Sequence, residues 1–189
     1  MDAPSLSARI TRWPQAFEPA QGQDVARLFT AARGPLADLV AGAAGSSPYL
    51  RDLLARNVAW FEVAFDGPEA ALAALLHRES GAPPLSADAL RAAKRRMAGL
   101  VALLDLSGAW TLAEGPAALP DFADRALGPA LDHALAPAPA RGTLPQAPCL
   151  FVLSMGQLGA HEPNHPSHTH LICLFAAPGP TAPHAPDPP

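Results

Sequence analysis

Four histidines, His161, His165, His168 and His170, fall within ten residues, with Glu162 among them. Imidazole nitrogens suit Zn²⁺, Ni²⁺ or Cu²⁺ far better than Mg²⁺. His168 and His170 are two apart, so on a strand they share a face, and His161 and His165 can reach in from the preceding loop. A soft-metal site is one reading of this pattern. The alternative is a set of solvated histidines that take up Zn²⁺ or Ni²⁺ only adventitiously, since no group that would orient them is identifiable. A second pattern lies just upstream, where Gly156 and Gly159 flank Gln157-Leu158 directly after an apolar run. Glycines at the end of a strand let backbone amides approach a phosphate closely, because no side chain stands in the way. Two glycines after an apolar run are by themselves a weak signal.

The elements that must position these residues are two short strands. CLFVLS (Cys149 to Ser154) and LICLF (Leu171 to Phe175) are apolar runs rich in aromatic and β-branched residues. The region before residue 137 is expected to be mainly helical, with no clear period over residues 1–20. The strongest pattern predicts a helix over Pro48–Phe65, with Ser47 as its cap and Pro48 at its first position. Leu50, Leu53, Leu54, Val58, Phe61 and Phe65 form its stripe, and Asp66-Gly67-Pro68 ends it. A helix is expected over Asp24–Leu39, broken at Gly34-Pro35, and a short one with Leu72, Leu75 and Leu76 inward. After the Gly81–Pro84 loop, Ser86 caps a long helix to about Ser107. Its buried face is Leu90, Ala93, Met97, Leu100, Val101 and Leu104. A later helix spans about Leu119–Leu135, with Phe122, Ala126, Leu127 and Leu131 inward and a kink or split expected at Gly128-Pro129.

The organisation expected is a helical region over 1–136, a proline-rich linker over 137–148, the two-strand segment over 149–175 and a disordered Pro/Ala tail over 176–189. Arg91, Lys94 and Arg95 share one helix face with Arg96 beside them. They read as a solvated face, with an acidic partner or a phosphate as the alternative. Trp60 and Trp110 read as core residues, and Asp121 and Asp124 as surface carboxylates.

Composition narrows the function classes. The chain has 189 residues, 49% of them apolar, so it can bury a core. A net charge of −4 argues against non-specific nucleic-acid binding. No run of 18 apolar residues is present to span a membrane, and the N-terminus has no apolar signal core. The two cysteines, Cys149 and Cys173, fit no zinc motif and are expected to be buried, reduced thiols of a cytoplasmic protein.

The stretch LFVLSMGQLGAHEPNHPSHTHLICLF resembles the signature of the bacterial glutamine synthetase adenylyltransferase/deadenylylating family, which reads approximately V-L-G-M-G-K-L-G-x-x-E-L-N-Y-S-S-D-I-D-L-I-x-L-F. Met155, Gly156, Leu158, Gly159, Glu162, Asn164, Ser167, Leu171, Ile172, Leu174 and Phe175 match in register. Upstream, SSPYLRDLLARNVAWF is similar to the family's S-P-F-L-x-x-L-L-x-R helix, and LRAAKRRMAGLVALLDLSG to its L-R-x-x-[KR]-R-R helix and D-L-x-G turn. The resemblance covers roughly residues 45–175. It implies a mainly α N-terminal region followed by the truncated start of an α+β nucleotidyltransferase domain of the polymerase-β-like type. It also implies the parent reaction: AMP moves on and off a tyrosine of glutamine synthetase, with ATP and Mg²⁺. Gly156 and Gly159 would be the phosphate-side turn, and glutamine synthetase the partner. The chain would be an N-terminal fragment.

The departures from the family pattern fall on the chemistry. The two motif aspartates are His168 and His170 here, the lysine is Gln157, the first glycine is Ser154, and Leu-Asn-Tyr-Ser is Pro163-Asn164-His165-Pro166. Two aspartates at i and i+2 hold Mg²⁺ through hard oxygens, and imidazole, neutral or cationic near neutral pH, does not replace them. The expectation is therefore a catalytically defective member of the family. The other readings are a non-catalytic helical module that binds a partner and a histidine-based Zn²⁺ or Ni²⁺ binder.

Overall fold

The computed structural model describes residues 4–75, 77, 85–111, 114–135, 149–160 and 170–176. Among the described residues the order is α1 (Leu6–Arg9), α2 (Pro19–Ala26), α3 (Pro35–Ser46), α4 (Pro48–Arg56), α5 (Val58–Asp66), α6 (Pro68–Ala74), α7 (Ala87–Leu106), α8 (Glu114–Leu135), β1 (Cys149–Met155), α9 (Gly156–Gly159) and β2 (His170–Ala176). The chain is mostly helical with one small antiparallel sheet, as the sequence pattern implies. No helix among the described residues is long and apolar enough to cross a membrane.

The helical body is built around α3, whose residues Leu39 to Gly45 are all buried. Within it residues 41–45 are all alanine or glycine, so neighbouring backbones come very close. A Cβ on Gly22 of α2 would stand 2.2 Å from the Ala41 carbonyl oxygen, and one on Gly42 would stand 2.0 Å from the Pro14 carbonyl oxygen. The extended segment before α2 therefore lies directly on α3. It is tied there at both ends: Trp13 Nε1 donates to the Pro35 carbonyl (3.1 Å) and the Glu18 amide to the Gly45 carbonyl (2.8 Å). Arg51 of α4 donates to the Ala44 carbonyl and pairs with Glu18, satisfying α3's C-terminal end from the next helix.

The larger side chains fill the other side of the body. Leu39, Leu54, Phe61, Leu100, Leu103 and Leu104 are fully buried, each stabilising by about 1.5–3 kcal/mol relative to exposure. Phe29, Phe65, Phe61 and Trp60 form a run of aromatic contacts with ring centroids 5.8, 5.9 and 5.0 Å apart. The N-terminal segment also closes the C-terminus of α7: the amides of Thr11 and Arg12 both donate to the Ser107 carbonyl, at 2.9 and 3.0 Å. α8 packs along α7, and Arg125 donates to the Ala73 carbonyl at the end of α6.

Several elements follow the sequence expectation. Ser47 Oγ accepts from the Leu50 amide and caps α4, and Ser86 Oγ accepts from the Ala89 amide and caps α7. On α7, Ala93, Met97, Leu100, Val101 and Leu104 are buried and Leu90 is half-buried. Trp110 is buried and Trp60 half-buried, while Asp121 and Asp124 are exposed.

Others differ. The helix predicted over Pro48–Phe65 is two, because Asn57 (φ −129°, ψ 29°) breaks it. Asn57 Nδ2 takes the Leu53 carbonyl, and Arg96 of α7 donates through Nε to Asn57 Oδ1 while its guanidinium lies 5.7 Å from the Trp60 ring centroid. A tertiary contact thus fixes a break that the helical period conceals. The helix predicted over Asp24–Leu39 is replaced by α2, which starts earlier at Pro19, and by α3, which runs on to Ser46. The loop between them is pinned by Glu62 of α5. Its Oε1 accepts from the Thr30 amide (2.6 Å), the Thr30 hydroxyl (2.9 Å) and the Ala31 amide (3.0 Å). The last helix begins at Glu114 and continues through both Pro120 and Pro129, with no break at Gly128-Pro129. Cys173 is exposed, not buried: a two-stranded sheet offers no interior to hold it. Leu76, the Gly81–Pro84 loop, the 137–148 linker and the tail beyond Ala176 lie outside the described residues.

The Ala31 amide and then the Thr30 hydroxyl hold the Glu62 carboxyl below the usual carboxylate range. A depressed folded pKa contributes stability that is present above the unfolded value and lost as pH falls through the folded one. Thermal melts of Glu62→Gln across the acid range should therefore lose stability less steeply than the parent below about pH 4.3, the ordinary glutamate value. Equal acid slopes would contradict the pinning of the loop. In urea denaturation Gly42→Ala, which must push the Pro14 backbone off α3, should cost about 1–3 kcal/mol. Gly128→Ala, where a Cβ would meet nothing within 4 Å, should be neutral or stabilise by about 0.5–1 kcal/mol.

Candidate functional site

The segment whose sequence carries the chemical pattern folds as a hairpin-like unit. β1 pairs antiparallel with β2, Cys149 opposite Ala176 and Met155 opposite His170. Side chains directly opposite in such a pair share a face. One face therefore carries Phe151, Leu153 and Met155 from β1, with Leu174, Ile172 and His170 from β2. All six are exposed. The other face includes Val152, Ser154, Leu171 and Cys173. Neither strand contains an acidic residue.

At the end of β1 the chain turns through Gly156, with φ of 63°, a conformation that disfavours any side chain. One turn of helix, α9, follows, closed by the Ala160 amide donating to the Gly156 carbonyl at 3.0 Å. The two glycines serve different needs. Gly156 is required for its backbone angle, and a Cβ there would meet nothing within 4 Å, so the space beside it is open. Gly159 is required for close approach, because a Cβ there would stand 2.4 Å from the Ser154 carbonyl oxygen. The glycine turn is thus folded back onto the end of β1, with one side accessible.

His170 opens β2 directly across from Met155, the residue before Gly156. The structure therefore brings Gly156, Gly159 and His170 to one end of the sheet. His161, His165 and His168 lie outside the described residues. Among the described residues no group of three His, Cys, Asp or Glu side chains is placed to hold a metal ion. Met155, a thioether on the same face as His170, is the neighbour that the sequence pattern did not reveal. Its partnership depends on a register set by two strands 15 residues apart in the chain.

The donor chemistry here does not fit Mg²⁺. That ion takes oxygen ligands, usually one or two carboxylates. The described end of the sheet offers an imidazole and a thioether, which are softer donors.

The remaining candidate residues lie on the helical body. Of the basic set, Arg91 pairs with Asp88 (2.7 Å), and Arg96 is the clamp on Asn57 and Trp60. Lys94 and Arg95 are exposed. A polar cluster that sequence spacing could not show joins Arg9, Glu69 and Trp110. Arg9 Nη1 donates to Glu69 Oε1 at 2.7 Å, and Trp110 Nε1 donates to the same oxygen at 3.1 Å. Burial pushes the Glu69 carboxyl up, but the Arg9 and Trp110 hydrogen bonds outweigh it, and the group lies below its ordinary value. Its residues are 41 and 60 positions apart in the chain, and the cluster ties α1 and α6 to the segment after α7.

A family model described as glutamate-ammonia ligase adenylyltransferase matches residues 36–187. Curated relatives named bifunctional glutamine synthetase adenylyltransferase/adenylyl-removing enzyme are similar over most of this chain. One from a Bradyrhizobium species is 36% identical over 182 residues, covering 88% of this chain and 18% of the relative. One from Rhodopseudomonas palustris is 34% identical over 200 residues, covering 97% and 20%. One from Agrobacterium fabrum is 34% identical over 164 residues, covering 77% and 17%. The chain thus spans about a fifth of the length of the curated relatives it matches. No solved structure matches it. With the match running from α3 through the glycine turn and β2, the chain belongs to the glutamate-ammonia ligase adenylyltransferase family.

Proposed function

We propose that this chain acts on glutamine synthetase as part of the machinery that adds or removes AMP. The observation that carries the reading is the family match over residues 36–187, which takes in both the helical body and the glycine turn. The relatives' names give the reaction, transfer and removal of an adenylyl group on glutamine synthetase. In this reading residues 1–136 form a helical region, 137–148 a linker and 149–175 the opening of a nucleotidyltransferase domain. Gly156 and Gly159 form the turn on the phosphate side of that domain. The open space beside Gly156 and its exposed backbone support this role.

ATP and Mg²⁺ belong to the reaction of this family, and the residues of this chain accommodate them unequally. The glycine turn keeps the features that bring backbone amides to a phosphate. The two positions that carry aspartates in the family pattern are His168 and His170, so the catalytic carboxylates are missing. The proposed role is therefore recognition of glutamine synthetase without efficient nucleotidyl transfer.

A second reading, a partner-binding module with no part in transfer, is favoured by one observation. The well-packed core lies in α1–α7, whereas the six residues on one face of the sheet are all exposed. Both readings place recognition on the helical body. The site of binding is tested by sedimentation of the chain with adenylylated and unmodified glutamine synthetase at micromolar protein. Co-sedimentation is expected, retained when His168 and His170 are both changed to Ala. No complex at a tenfold excess of either form would contradict the proposal. Preference for the adenylylated form would favour a role in AMP removal over a purely structural one.

A further inference from the structure

We infer that the end of the sheet at Met155, Gly156 and His170 does not take a hard divalent cation, so that this member of the family has lost the magnesium site while keeping the glycine turn beside it. The inference rests on the reading of His168 and His170 as the positions of the family's two aspartates. It goes beyond that reading because the described residues around His170 offer no substitute oxygen ligand.

Three observations carry it. The first is the donor at the site. His170 is exposed at the first position of β2, and its imidazole carries no negative charge in either protonation state near neutral pH. The second is its neighbour. The register places Met155 directly opposite, and a thioether has little affinity for Mg²⁺. The third is the composition of the strands. CLFVLSM and HLICLFA contain no Asp or Glu, so no carboxylate from either strand can turn toward His170 and restore an oxygen site. On the shared face the next side chains are Leu153 and Ile172, which are apolar. A hard cation placed here would exchange tightly held water for an imidazole, a thioether and hydrocarbon. Mg²⁺ gives up its water reluctantly, and it does so for carboxylates and phosphates.

The glycine turn is retained for a reason that does not involve the cation. Gly156 is fixed by its positive φ and Gly159 by its approach to the Ser154 carbonyl. Both constraints persist whatever stands at residue 170. Loss of the metal ligands therefore leaves the local fold intact, and the two properties can be separated by experiment.

Mn²⁺ serves as a paramagnetic probe for the hard-cation site. In the full chain, the ring signals of His170 and the methyl signal of Met155 should not broaden in a saturable manner as Mn²⁺ is added, and Mg²⁺ should have no effect on them. In a variant carrying His168→Asp and His170→Asp, the Met155 methyl should broaden saturably, and Mg²⁺ should reverse the broadening by competition. Circular dichroism of the variant checks that its helical body is unchanged. Saturable, Mg²⁺-reversible broadening in the parent chain would overturn the inference. Absence of broadening in both proteins would also overturn it, since these positions would then never have been the cation site. Neither result depends on whether the chain binds glutamine synthetase, so failure here is distinct from failure of the proposed function.

Discussion

The helical body depends on how closely two backbones can approach α3. Residues 41–45 present alanine and glycine to their neighbours, and Gly22 and Gly42 let α2 and the segment through Pro14 lie against α3 with no room for a Cβ. That approach sets the path of the N-terminal segment. Because the segment is held on α3, Thr11 and Arg12 reach the Ser107 carbonyl and close the end of α7. With α7 fixed, Arg96 meets Asn57 and Trp60, which sets the break between α4 and α5. A short close-packed surface thereby orders contacts between residues nearly a hundred positions apart.

The sheet is governed by a different constraint. A two-stranded sheet has little hydrophobic core of its own, and its six shared-face residues are exposed. What defines it is register and turn geometry: β1 ends at Met155, Gly156 takes a positive φ, and Gly159 packs onto the strand it has just left. The backbone of the glycine turn is therefore specified locally. The side chains that would perform metal-dependent chemistry beside it are not part of that specification. In the proposed reading, histidines at 168 and 170 in place of carboxylates remove the chemistry while leaving the turn.

Much of the fold was legible because its determinants are local. Ser47 and Ser86 announce helix starts, the α7 stripe follows the helical period, and the apolar runs around Phe151 and Ile172 read as strands. The missed features depend on distant partners. Nothing near Asn57 in sequence announces that Arg96 will bind its side chain 39 positions away. Nothing near Thr30 announces the Glu62 carboxylate, and helical periodicity around Val25 and Leu36 conceals the loop it holds. Gly128-Pro129 does not split the last helix: α8 runs through Pro120 and Pro129, with Pro120 buried. Cys173 was misplaced because a short apolar strand normally implies burial on both sides. At the site, Gly156, Gly159 and His170 were legible from their motif, whereas Met155 as the neighbour of His170 required the register.

In the proposed reading this family member keeps the glycine turn of a nucleotidyltransferase site without its metal-dependent chemistry. The most direct test is phosphate-dependent release of ADP from adenylylated glutamine synthetase, with saturating Mg²⁺ and this chain as the sole added protein. No release above the protein-free background is expected. Sustained turnover by the chain, abolished by changing Gly156 to a bulky residue, would show that the two histidines do not prevent transfer and would overturn this reading.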